Sequence, residues 1–223
     1  MTTQNKQVKN TYITAAFRLS YPALFEPVDT LNKDGKKKYT ITMLFPKKST
    51  AEALKAAKHP ASTWLPVDNC AGFYAEICKI ARANFGPEVD LKTLKLTKFR
   101  DGDKPKESTG KVDDNEKGYI VVRTTSSSEN KPDCLRQDKT RITDPGELYP
   151  GCWVRAVLTI APFLKPNHGV TIYLAGVQKL ADDATFSSRP RAEDEFDAVA
   201  SEGVDSTGAG PVKTEGTEDP WLV

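Results

Sequence analysis

The chain has 223 residues, 38% hydrophobic and 28% charged, a size for one domain with appendages or two small domains, with an apolar share low enough to leave part of it outside any core. Its net charge of +2 is split: residues 1–180 carry 29 Lys+Arg against 19 Asp+Glu, and residues 181–223 carry 3 against 11, a basic body and an acidic tail that favour a polyanion partner and a tail able to imitate it. No apolar run reaches the ~18 residues of a membrane span, the N-terminus has no apolar signal core, and Cys70, Cys78, Cys134 and Cys152 form no CxxC pair, so the expectation is a cytoplasmic protein with reduced core cysteines, no membrane partner, no metal site and no cofactor.

Thr11 to Leu19 alternates. Ile13, Ala15, Phe17 and Leu19 fall on one face of a strand, and Tyr12 and Arg18 on the other. Tyr21-Pro22 reads as its end. A turn then carries the basic cluster Lys36, Lys37 and Lys38, either a solubilising loop tip or a phosphate contact. The strand Tyr39 to Phe45 follows and stops at Pro46. Ser49-Thr50-Ala51-Glu52 has the pattern of a capping box opening a short helix. Asp68 caps a second helix, in which Phe73, Ile77, Ile80 and Ala81 recur at helical spacing until Gly86-Pro87 closes it. These helices form an insertion over about residues 49–86.

Lys92 to Phe99 predicts a short strand. Arg100 to Gly118, dense in Asp, Lys and Gly, predicts a long mobile loop. Its Asp113-Asp114 reads as solvated charge rather than as the carboxylate pair of a nuclease. Tyr119 to Thr125 predicts a strand with Ile120 and Val122 inward and Tyr119, Val121 and Arg123 outward. Cys134 to Thr143 brings Arg136 and Arg141. The hairpin from Gly151 to Val177 then places Val154, Ala156, Leu158 and Ile160 on a core face, with Trp153 and Arg155 opposite. Its Pro-Asn-His-Gly turn leads to a second strand with Tyr173 on the non-core side. Trp153 either holds an unstacked base or lies on a second layer of core.

Beyond Leu180 the periodicity ends, which predicts a disordered acidic tail, residues 187–223, after a folded domain, residues 1–186. Its tip, Glu218, Asp219, Pro220, Trp221, Leu222 and Val223, reads as a docking peptide. The sequence has no Gly-rich phosphate loop, GxSxG or HExxH pattern, so an enzyme is not expected. Three strands pair an aromatic with an arginine on the non-core side: Tyr12 with Arg18, Tyr119 with Arg123, Trp153 with Arg155. Rings stack on bases of any sequence, and cations neutralise phosphates. The pattern points to single-stranded nucleic acid bound on a mainly β barrel: an OB-fold, a five-stranded antiparallel Greek-key barrel, partly open, with a helical insertion and long loops.

The segment Leu148 to Ala156, and Gly169 to Gln178 followed by Leu180-Ala181-Asp182-Asp183, resemble phage-encoded OB-fold single-stranded DNA-binding proteins over roughly residues 8–186. The ending is similar in kind to the tails of bacterial and phage proteins of this class, although its tip is Trp-Leu-Val rather than a terminal aromatic. The resemblance implies protection of single-stranded DNA in phage replication, recombination and repair in the infected host. It also implies cooperative self-association on DNA, and a tail that competes with DNA and recruits replication or recombination proteins. A phage nuclease and a protein-interaction module are the rival readings.

Overall fold

The computed structural model describes residues 10–29, 35–66, 68, 70–165 and 167–186. They lie in one unit, Met1–Ser188. The expected disordered tail and its tip fall outside the described residues.

Among the described residues nine strands run in order: β1 (Asn10–Ile13), β2 (Phe17–Asp29), β3 (Lys37–Pro46), β4 (Lys95–Leu96), β5 (Phe99–Asp101), β6 (Tyr119–Ser127), β7 (Asp133–Leu135), β8 (Trp153–Phe163) and β9 (Gly169–Ala181). Two α-helices, α1 (Lys48–Ala56) and α2 (Ala71–Phe85), lie between β3 and β4, with a 3-10 turn, Pro60–Trp64, between them. Strands β2, β3, β6, β9 and β8 pair in that order and β8 returns to β2, closing a ring of five. Within this ring the β6–β9 pairing alone is parallel; outside it the marginal β4–β9 and β7–β9 pairings are parallel too. The β6–β9 pairing rests on one residue pair, Thr125 with Tyr173, and is the thin seam of the barrel. Strands β1, β4, β5 and β7 attach at its margins. The architecture is the expected OB-type barrel with its helical insertion.

Alternation fills the barrel. Tyr39, Ile41, Met43 and Phe45 of β3, Val122 of β6 and Val154, Ala156, Leu158 and Ile160 of β8 point inward and are buried. Helix α2 packs Phe73, Ile77, Ile80 and Ala81 into the same core. A second core lies outside the barrel wall, where Ala51 of α1, and Ala61 and Leu65, cover Leu44, Tyr119, Val121, Trp153 and Leu180. All four cysteines are free and buried. Burial pushes the Cys134 thiol up to about 11 and that of Cys152 up to about 12, which keeps them protonated and unreactive at neutral pH.

Three local expectations change. Tyr21-Pro22 does not end its strand: β2 continues to Asp29 through a register shift between Ser20 and Ala23. Pro lacks a ladder donor, so it sits at the bulge, and Tyr21 takes the left-handed conformation there, φ 45°. Tyr12 and Ile13 exchange faces, because the chain breaks between β1 and β2 and the period of two restarts; Tyr12 stacks on Phe73 at 4.9 Å and Ile13 is exposed. The capping box is not formed: α1 starts at Lys48 with no side-chain cap, and Thr50 donates instead to the Gly118 carbonyl at 2.9 Å. Asp68 does bond into the first turn of α2, accepting from the Gly72 amide at 2.7 Å.

The segment after β5 is organised by ion pairs rather than solvated. Glu116 is 3% exposed and binds Arg100 and, at 3.3 Å, Lys106, which also pairs with Asp113 at 2.7 Å. Lys47 holds Asp101 and Asp103. Gly102 is pressed against the Glu116 carbonyl, where a Cβ has no room.

Candidate nucleic-acid interface

The outer faces of β3 and β6 meet in register: Lys38 opposite Ser127, Thr40 opposite Thr125, Thr42 opposite Arg123, Leu44 opposite Val121, Pro46 opposite Tyr119. The last two pairs lie under α1 and the 3-10 turn. Thr40, Thr42 and Arg123 line an open groove of about 930 Å³, which the edge of Val121 also reaches. Thr40 and Thr42 form its floor. Tyr21 and Val28 stand on the β2 side, and Lys98, Phe99, Arg100 and Lys106 on the other, with Arg123 between. Arg123 donates through Nε to Thr40 Oγ1 at 3.2 Å, and its side chain stays exposed.

Tyr21 is the groove's aromatic. It is 64% exposed, and its left-handed backbone, unfavourable by roughly 1–2 kcal/mol for a residue with a Cβ, aims an apolar ring at solvent. Lys106 lies 5.8 Å from the ring centroid. Burial works against the Lys106 charge, but Asp113 and Glu116 outweigh it and hold its pKa above the usual lysine range. The Lys106 hydrogen bond, chiefly, keeps the Asp113 carboxyl below the usual carboxylate range. Arg100 donates to Glu116 through Nη2, and its Nη1 is buried without a hydrogen-bond partner.

The structure divides the residues predicted from sequence into three groups. Arg123 lines the groove. Tyr173, 48% exposed, sits beside Thr125 across the seam, and Lys37 and Lys38 stand at the start of β3 with Lys36 before them. Arg136, Arg141 and Arg155 lie elsewhere, around β7 to β9. Arg136 pairs with Glu147 at 2.5 Å, Arg141 with Asp133 at 2.7 Å, and Arg155 donates to Gln178 at 2.8 Å. The third group is internal and corrects the expected aromatic–arginine face. Tyr12 leans on α2. Tyr119 is 9% exposed and Trp153 0%. The register shift after Trp153 and the Pro60–Trp64 turn place its ring in the second core, where Nε1 donates to Asp183 at 2.7 Å. Arg18 donates to the carbonyls of Gly151 and Ala184 and lies over the Phe186 ring at 4.3 Å. It is a strut for residues 183–186.

A groove of this chemistry on an OB-type barrel agrees with the family comparison, in which residues 10–206 match the model described as the single-stranded DNA-binding protein of Enterobacter phage Enc34. The chain belongs to this family. That description is of a binding protein, a non-enzymatic role. The Enc34 single-stranded DNA-binding protein in complex with single-stranded DNA is similar to the chain at 25% identity and TM-score 0.52, over 79% of this chain and 89% of that one. Its C-terminal truncation is similar at 26% identity and TM-score 0.53, over 79% and 88%. No curated protein matches the chain. Among the described residues there is no group of three or more His, Cys, Asp or Glu that could hold a metal ion.

Tyr21, Lys98, Arg100 and Lys106 were not singled out from sequence. The available signal was a Tyr-Pro step inside a run that resumes its apolar residues at Leu24, and the Lys-Phe-Arg triplet of residues 98–100.

Proposed function

We propose that this chain binds single-stranded DNA with little sequence preference along the outer face of β3 and β6, in phage replication, recombination and repair in the host cytoplasm. The observation that carries this is the open groove in which an exposed tyrosine on strained backbone stands among Lys98, Arg100, Lys106 and Arg123. Base stacking on Tyr21, and on Tyr173 across the seam, is worth about 1–3 kcal/mol per base regardless of sequence. The cations neutralise phosphates and make binding salt-dependent. From Thr42 to Lys38 the face continues for four residues, about 13 Å, which leads the strand toward Lys36, Lys37 and Lys38. Neighbouring copies associate cooperatively on the strand.

The acidic tail competes for this groove and recruits replication or recombination proteins through Glu218 to Val223. The charge split supports the reading: residues 181–223 carry 11 Asp+Glu against 3 Lys+Arg, and residues 1–180 carry 29 Lys+Arg against 19 Asp+Glu. Deleting residues 187–223 should raise affinity at low ionic strength, where screening is weak. Trp221→Ala should weaken only the protein partner.

The decisive experiment is a fluorescence titration with oligo(dT). Tyr21→Ala and Arg123→Ala should both weaken binding at unchanged melting temperature; wild-type affinity in both variants would refute the assignment of the groove.

A further inference from the structure

Arg100 stands out among the cations of the groove. It lies on β5, opposite Val121 of β6, and so shares the outward face of that strand. Its two terminal nitrogens have different surroundings. Nη2 donates to Oε2 of Glu116, whose other oxygen faces Lys106 at 3.3 Å. Nη1 is buried and donates to nothing. An orphaned buried donor is rare in folded proteins, and this one sits on a charged group at a wall of an open cavity. Among the described residues, the acids lining that cavity are Glu116, whose carboxylate is already shared by two cations, and Glu107.

We infer that Arg100 is a bridging phosphate receptor: Glu116 fixes the guanidinium through Nη2, and Nη1 donates to one phosphate of the bound strand. This rests on the reading of the groove as the DNA site, and adds to it a fixed point. The other cations act as diffuse charge, whereas Arg100 sets where one phosphate lies, and thereby which base reaches Tyr21. The chemistry requires arginine. A guanidinium is planar, with donors held in a rigid fork, so one nitrogen serves the carboxylate while another serves the phosphate at a fixed separation. Lysine carries the same charge on a single nitrogen, which has to serve both partners.

The test compares Arg100→Lys and Arg100→Ala in the full chain by oligo(dT) titration at several salt concentrations. Concentrations are corrected by stoichiometric titration, so that only folded protein counts. Arg100→Lys should weaken binding about tenfold, the scale of one hydrogen bond between charged groups, with an unchanged salt slope. Arg100→Ala should weaken it at least as much and flatten the slope by about 1. Arg123→Ala and Tyr21→Ala serve as controls. If they weaken binding and Arg100→Lys binds like the wild type, Arg100 supplies charge alone and the bridge is refuted. If none of the variants changes affinity, the groove is not the site and both readings fall.

Discussion

The outer face of β3 and β6 is one continuous pair of strands with two different fates. At one end Leu44 faces Val121 and Pro46 faces Tyr119, and the insertion covers them. Farther along, Thr40 faces Thr125 and Thr42 faces Arg123, and the groove stays open. Both ends carry aromatic and cationic side chains nearby: Tyr119, Trp153 and Arg18 at the closed end, Tyr21, Arg123 and Lys106 at the open one. Aromatic–arginine pairing therefore does not separate a second core from a binding face. The cross-strand neighbours do, because apolar pairs gain by being covered and threonine and arginine pairs are already satisfied by water and by each other.

The largest effect that sharpens this contrast is Trp153→Ala. Removing a fully buried indole should lower stability by about 3–5 kcal/mol while leaving the oligo(dT) affinity of the folded fraction unchanged; thermal melting and titration of the same sample check both halves. Tyr21→Ala should do the reverse, weakening binding by about 1–3 kcal/mol without lowering the melting temperature. Arg123→Ala should weaken binding more modestly and flatten the salt slope by about 1.

Smaller still is the response to acid of the wall carrying Lys106. The Asp113 pKa is depressed in the folded chain. A depressed carboxylate contributes stability that is present above its unfolded pKa and is lost as pH falls through the folded one. Hydrogen exchange of residues 102–118 should therefore accelerate below about pH 4, near the ordinary carboxylate pKa, and Asp113→Asn should remove that response. Least affected should be Arg136→Ala, whose guanidinium already pairs with Glu147 on another part of the surface; its oligo(dT) affinity should stay within about 0.5 kcal/mol of wild type.

The barrel was legible because period-two alternation in β3, β6 and β8 survives burial on one side; Ile41, Val122 and Leu158 face where the pattern puts them. The helical insertion was legible from its apolar stripe and from Gly86. What alternation does not carry is which outer residues a distant segment will cover. Pro60–Trp64 lands on Trp153 from about ninety residues away, and nothing local to Trp153 announces it. The groove was hidden for a related reason. Tyr21 projects because of a bulge that reads as a strand end, and Lys106 reaches it from a segment whose order comes from Glu116 and Asp113, ion pairs with no periodic signature. Arg123 and Tyr173 were readable at both levels, as outward residues of clear strands that stay exposed.

The most direct test of the division between open and covered ends is photochemical crosslinking of oligo(dT) to the full chain, with the adducts located by peptide mapping. Adducts on the Tyr21 segment, with none on the segments of Trp153 and Tyr119, are the predicted result. Adducts confined to Trp153 or Tyr119 would contradict it, and would mean that the insertion lifts away to expose the second core when DNA binds.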